Sequence, residues 1–431
     1  MPGARALADD TADVKRQVEL LQQQNALLQE QVRQQQTVIE KLNQRVAPIE
    51  QASEQRTREL DDLESNVKDP APVSNKSSGF NVGKINFSGE GGVGYFHAQS
   101  EGALPNAEFR VDEAKLFVEA PVWGDVYFFT ELNLAARESG DLDLRLGELY
   151  LDIEDVSKLW GRDRQLNVRA GRFDIPFGEE YLRRDAIDNP LISHSLSDLW
   201  GVDEGIELYG SLGKFSYVAA VQNGGISGTR DFNADKSVTG RLSYDPTRWL
   251  HVSASAMRTG DLDAQNDYLS ETWFGGGWFR SIGSTDTTVF HANLLQGDVA
   301  LQFSRGHLKA FGGLAQYDDN DPNGNNRRNI YYYSVEGVVD VTRKLYAAAR
   351  FSQIFADRGY PLPGGGNQDK YFFDPFQPMA EELWRLSLGV GYRFNRHLLV
   401  KAEYSFEQGK EVGGGRRNHM NLFAAEAAFA F

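Results

Sequence analysis

Two hydrophobic periodicities divide this 431-residue chain. Over residues 11–69 apolar side chains recur every three to four positions. Val18, Asn25, Val32, Ile39 and Val46 form one core series; Val14, Leu21, Leu28, Gln35, Leu42 and Ile49 form the other. The register resumes at Leu60, Leu63 and Val67. Patterning sustained this long predicts a coiled coil rather than one amphipathic helix. Asn25 and Gln35 are polar layers, which fix register and strand number at some cost in stability. Arg45, Val46, Ile49 and Glu50 have the form of a short trimerisation motif, with the arginine of one helix pairing the glutamate of its neighbour. Against it, β-branched residues in one core series with leucine in the other favour dimers. Pro48 must also kink or restart the helix. A trimer is expected, with a dimer open.

Residues 70–82, PAPVSNKSSGFNV, read as a linker. From 83 to 431 the period becomes two, and about sixteen strand-like runs follow. In 383–394, Trp384, Leu386, Leu388, Val390, Tyr392 and Phe394 share one face; Arg385, Ser387, Gly389, Gly391 and Arg393 share the other. In 397–407, Leu398, Val400, Ala402, Tyr404 and Phe406 oppose Lys401, Glu403, Ser405 and Glu407. A soluble sandwich would turn the apolar face to its core, whereas a membrane barrel turns it to lipid. The connections decide between them. Short ones (212–214, 245–247, 304–306, 342–344, 395–397) alternate with long ones (174–204, 224–236, 259–286, 318–328, 356–382, 408–418). Short turns at one end and long loops at the other predict an all-β transmembrane barrel of about 16 antiparallel strands, preceded by an α-helical coiled coil. Aromatics at Tyr331-Tyr332-Tyr333, Tyr371-Phe372-Phe373 and Trp384 suit interfacial girdles. The last strand carries Phe423, Ala425, Ala427, Phe429 and Phe431 at alternate positions, resembling the C-terminal signal read by outer-membrane assembly machinery. An even strand count puts both barrel ends on the short-turn side, so the coil is expected in the periplasm of a diderm bacterium.

One connection stands apart. Residues 174–204 mix Phe177, Tyr181, Leu191, Ile192, Leu196 and Trp200 with Arg183, Arg184, Glu179, Glu180, Asp185 and Asp188. A loop this long is functional or disordered, and this one is too apolar for disorder. It is expected to fold into the lumen and narrow it.

Composition narrows the rest. The net charge is −16 and the pI about 5.0, which argues against a nucleic-acid partner. There are no cysteines, so disulfides, thiolate metal sites and covalent c-type haem are excluded. No cofactor is expected. Mean hydropathy is −0.48 and no stretch of 18 apolar residues occurs, which excludes a transmembrane helix but not a barrel. Residues 1–10 hold Ala6-Leu7-Ala8 before Asp9-Asp10 and read as a signal-peptide remnant; an ordinary N-terminus is the alternative.

The runs Gly171-Arg172-Phe173-Asp174-Ile175-Pro176-Phe177-Gly178, Asp203-Glu204-Gly205-Ile206-Glu207-Leu208-Tyr209-Gly210, and Tyr217 through Val221-Gln222-Asn223-Gly224 resemble the phosphate-selective porin family, porins O and P. The resemblance covers 83–431 and is sharpest over 165–225. It implies trimeric sixteen-stranded barrels, each with a constriction loop in its lumen. The coiled coil is foreign to the best-known members. It looks more like the periplasmic stalk on some porins of deeply branching diderm bacteria, where a further domain grips the cell wall.

Phosphate selectivity needs ladders of Arg and Lys. The inward charges expected here are mixed: Arg169, Arg241, Lys309, Arg350, Arg385, Arg393 and Lys401 against Glu113, Glu131, Glu336, Asp340, Glu403 and Glu407. General diffusion with a weak preference is the reading, with anions such as phosphate held open. Arg172, Arg183 and Arg184, facing Glu179 and Asp185, are the candidates for the constriction. Either they set a transverse field across the lumen or they pair only to hold the loop. Asp319, Asp321 and Asn323 open like an EF-hand loop, but Ile330 stands where a bidentate Glu is needed. A polar turn is favoured there, with weak Ca²⁺ binding open. His194-Ser195 lacks a third triad member, so no enzyme is expected. The expected partners are the lipid bilayer, lipopolysaccharide and a homotrimer, with a cell-wall, periplasmic or surface contact through the coil. A structural tether or a scaffold barrel is the alternative function.

Overall fold

The computed structural model describes residues 80–431 apart from 83, 101, 103, 136–143, 200, 225–230, 232, 265–285 and 361–379. The coiled coil of 11–69, the signal remnant, Trp200 and Tyr371-Phe372-Phe373 lie outside the described residues.

Sixteen antiparallel strands close into a barrel. They are β1 (Ile85–Ala98), β2 (Glu108–Trp123), β3 (Val126–Ala135), β4 (Arg145–Ile153), β5 (Asn167–Asp174), β6 (Val202–Leu212), β7 (Phe215–Gln222) and β8 (Ser237–Thr247). The series continues with β9 (Leu250–Arg258), β10 (Val289–Phe303), β11 (Gly306–Asp319), β12 (Arg328–Asp340), β13 (Leu345–Tyr360), β14 (Ala380–Asn395), β15 (Leu398–Glu411) and β16 (Leu422–Ala430). Each pairs with the next, and β16 pairs with β1 from Leu422↔Ala98 to Ala430↔Glu90. Closure removes every edge, as a sheet in hydrocarbon requires.

The alternation read from sequence is laid out inside-out. On β14, Leu388 and Val390 are 45% and 53% exposed, while Arg385 and Ser387 are 3% and 1% exposed. On β15, Val400, Tyr404 and Phe406 face out and Lys401, Glu403, Ser405 and Glu407 are buried. Outward aromatics form patches, such as Tyr333, Phe351 and Trp384 with ring centroids 6.0 and 6.2 Å apart. Tyr331 and Tyr333 point out, whereas Tyr332 between them is buried inside.

Several boundaries differ from expectation. Phe80–Val82, assigned to the linker, pairs antiparallel with Ile85–Phe87. Asp245-Pro246-Thr247 is not a turn; it ends β8, and the turn is Arg248-Trp249. Pro246 needs no donor where the ladder shifts register. The short-turn end also carries one long connection, 154–166, built on a 3₁₀ turn at Val156–Trp160. The Asp155 N–H donates to Asn167 Oδ1 (2.7 Å), and Lys158 Nζ donates to Asp125 Oδ2 (3.0 Å). Its order comes from side-chain bonds to the backbone, which periodicity does not register.

Candidate functional site

The β5–β6 connection, 175–201, lies inside the barrel. Its apolar residues supply packing to three of the four buried clusters. Ile175, Phe177 and Leu199 pack with Phe290, Tyr317 and Tyr332. Ala186 and Leu191 pack with Tyr346 and Leu399, and Ile192 with Phe96 and Leu422. The lumen wall is therefore not uniformly polar, contrary to the simple reading of period two.

The loop enters over β8–β10. Gly178 sits at φ +67°, and a Cβ there would meet Gln296 Nε2 at 2.4 Å. Its N–H donates to Ser255 Oγ (3.1 Å), and Arg241 donates to its carbonyl. Glu179 accepts from Ser243 Oγ (3.4 Å) and lies 2.7 Å from His251 Nε2. A single 3₁₀ turn, Glu180–Arg183, follows. Lys115 of β2 then takes Asp185 at 2.6 Å, and the Ala186 N–H donates to Glu113 Oε2 at 2.8 Å. Glu90, Glu113 and Asp185 bring three carboxylates together, and the Lys115 ammonium stands among them at 3.7, 2.5 and 2.6 Å.

The far wall grips the next stretch by its backbone. Lys401 Nζ donates to the carbonyls of Ala186 (2.7 Å), Asn189 (3.1 Å) and Leu191 (2.8 Å). Glu403 Oε2 accepts from the N–H groups of Ile192 (2.5 Å) and Ser193 (2.8 Å). Arg350 Nη1 donates to Ser193 O (2.6 Å), Arg385 Nη1 to His194 O (3.1 Å) and Tyr346 Oη to Pro190 O (2.9 Å). Arg385 also pairs Glu407 at 2.7 Å.

The expected constriction arginines separate into three roles. Arg184 is an internal brace: Nε donates to Asp198 Oδ2 at 2.7 Å, and Nη2 lies 3.1 Å from His194 Nδ1. Burial alone would raise Asp198, but Arg184 and His194 hold it well below the carboxylate range. Arg172 is not in the loop. It stands on β5 opposite Leu149 and Glu204, and its Nη1 donates to Glu204 at 3.0 Å. The neighbours on that face, Leu151 and Ile206, are exposed, so Arg172 has the outward parity. Arg183 lines a cavity of about 60 Å³ between the loop and the β10–β13 wall, with Glu180, Lys309, Phe311 and Glu336. Burial pulls its guanidinium down from the usual arginine value, partly offset by Glu336 and Glu179. Burial pushes Glu180 up to about 7.

Arg169 pairs Asp152 (3.1 Å) and Glu207 (3.2 Å) inside the wall. Arg393 stacks over Tyr346 at 4.2 Å near the short-turn end and is half exposed. Asp319 and Asp321 bind their own turn: Asp319 Oδ2 accepts from Thr287 and Asn326, Asp321 Oδ1 from the N–H groups of Asn323 and Gly324. His194 and Ser195 do not meet as a catalytic pair. His194 faces Arg184 and Asp198, while Ser195 Oγ donates to Glu180 at 2.5 Å. Lys115, His251 and Tyr346 were missed from sequence. Each is one polar residue in an alternating strand, and nothing local marks it as a loop anchor.

No family model and no curated protein sequence matches the chain. Solved structures do. The DcaP channel of Acinetobacter baumannii superposes with a TM-score of 0.56 at 12% identity, over 82% of this chain and 99% of that one. The fold is that of an outer-membrane porin. The trimer form of OmpT from Vibrio cholerae gives 0.52 at 14% identity, over 81% and 100%. The anion-selective porin of Comamonas acidovorans gives 0.50 at 11%, over 80% and 99%. At such identities these porins share the fold with this chain, and the loop's own side chains must carry any finer reading.

Proposed function

We propose that the protein is an outer-membrane porin that passes small hydrophilic solutes by passive diffusion, with the 175–201 loop setting their size and charge. The observation that carries this is a closed wall with charged residues inside and apolar residues outside, crossed by a loop tied to the wall. A homotrimer in the outer membrane belongs to the same reading. The described strands of β3–β9 have 8 to 11 residues, against 13 to 16 for β10–β15. At about 3.3 Å per residue and a tilt of about 40°, an 8-residue strand rises only about 20 Å, less than the apolar band of about 25 Å. A short wall suits contact with neighbouring barrels better than contact with lipid. Phosphate specificity rests on the motif resemblance alone, and the mixed ion pairs of the lumen do not add to it. The tether and scaffold readings rest on residues 11–69, and no observation on the barrel favours them.

Planar-bilayer recording of the full chain tests the proposal. Conductance in steps of three with weak ion selectivity is expected. Folded protein that inserts and carries no current would sink it.

A further inference from the structure

The cavity beside the loop shows an imbalance that a count of its charges hides. Its four carboxylates already have donors. Glu179 is held by Ser243 and His251, and Glu180 accepts from the Ser195 N–H (2.9 Å) and Oγ (2.5 Å). Asp298 accepts from Gln296 Nε2 (2.8 Å) and Ser253 Oγ (3.3 Å). Glu336 accepts from Arg350 Nε (3.0 Å) and lies 3.3 Å from His307 Nε2. The cations divide differently. Arg350 is paired, but Arg183 and Lys309 have no hydrogen bond or ion pair among the described residues. Lys309 stands directly across the ladder from Glu336, whose oxygens are turned to Arg350 and His307. Arg183 feels Glu336 and Glu179 only through space, with no direct ion pair, and an anion entering the cavity supplies a direct partner.

We infer that Arg183 and Lys309 form a binding site for small carboxylates carrying an apolar body. The inference rests on the porin reading and names the solute class of its constriction. The guanidinium offers a planar fork that matches a carboxylate in bidentate fashion, and the ammonium adds a point charge. Beside them the cavity is lined by apolar Pro190 of the loop and Ala300 and Phe311 of the wall. That surface gains from covering a hydrocarbon skeleton. Inorganic phosphate fits less well, because its further oxygens would meet this apolar wall or the engaged carboxylates.

Calorimetric titration of the folded trimer in detergent, with butyrate, acetate and inorganic phosphate as probes, tests the site. Butyrate is expected to bind most tightly and phosphate least. Arg183→Gln and Lys309→Gln are each expected to weaken butyrate about tenfold or more, from loss of a charge-assisted bond. Arg183→Lys should recover part of that loss. Lys309 lies on the wall, so Lys309→Gln reports on the site even if Arg183→Gln displaces the loop. Tightest binding by phosphate, or butyrate binding unchanged in both variants, overturns the inference. Current recorded on the same preparation separates the two readings. A conducting channel without carboxylate binding leaves the porin standing, and binding without conduction removes it.

Discussion

Lys401 tests the loop's attachment most directly. Lys401 is 2% exposed, and its ammonium donates to three loop carbonyls at 2.7 to 3.1 Å and lies 3.2 Å from Glu426. Lys401→Met keeps most of the apolar stem and deletes the charge. Each charge-assisted bond is worth about 1.5–3 kcal/mol, but water entering the freed space recovers part of that. Removing one partner of a buried pair typically costs about 3–5 kcal/mol. The seated loop should therefore lose a factor of roughly 10²–10⁴ against displaced arrangements. The assay is single-channel conductance together with liposome swelling in sugars of graded size. The variant should show a higher, noisier conductance and admit larger sugars, while the heat-modifiable barrel band on gels stays in place. Unchanged conductance and an unchanged size cut-off in folded Lys401→Met would refute the reasoning, because the loop would then be held without this anchor.

Other outcomes follow from the same geometry. Glu180 has its seated value raised from 4.5 to about 7 by burial, so the seated loop holds that proton more tightly than a released one. Loop seating should be most secure below about pH 4.5 and weaken as pH rises through 7. Current noise measured from pH 4 to 8 should climb over that window and flatten in Glu180→Gln; noise that falls with rising pH contradicts the sign. Gly178→Ala places a Cβ at φ +67° and 2.4 Å from Gln296 Nε2, so it should cost about 1–2 kcal/mol and raise the conductance. A wild-type conductance trace would show that the entry turn relaxes freely. Leu388→Arg, on the outward face, should lower folding stability in lipid vesicles by about 2–4 kcal/mol in a urea titration if it lies near the bilayer midplane. No loss would mean that this face does not meet lipid.

The barrel was legible because period two and alternating turn length are local signals repeated from strand to strand, with the terminal phenylalanine added once. The loop was legible as an outlier in length and composition. What escaped was long-range. That Lys401 and Glu403 hold loop atoms more than 200 residues away in sequence leaves no trace in either segment. Arg172, grouped with Arg183 and Arg184 in sequence, stands on β5 with the parity of Leu149, and strand parity at that position was not read. Asp245-Pro246-Thr247 looked like a turn because proline usually marks one; at the end of β8 the ladder does not need its donor.

Most of the anchors, Lys115 and His251 apart, share one property that separates holding the loop from what the loop selects. Lys401, Glu403, Arg350, Arg385, Tyr346 and Arg241 all bond to loop backbone, and Glu113 accepts from a loop N–H. Backbone groups are the same whatever side chain a position carries, so most loop positions can change without losing these bonds. Pro190 illustrates the point: it lacks an N–H, yet its carbonyl still takes the Tyr346 hydroxyl. Arg183, which makes no direct bond among the described residues, is then left to set the chemistry of the cavity. Exchanging Arg183 should therefore alter which solutes bind while the size cut-off stays near wild type, and Lys401→Met should do the reverse. If both substitutions moved both properties together, position and selectivity would be one function of the loop.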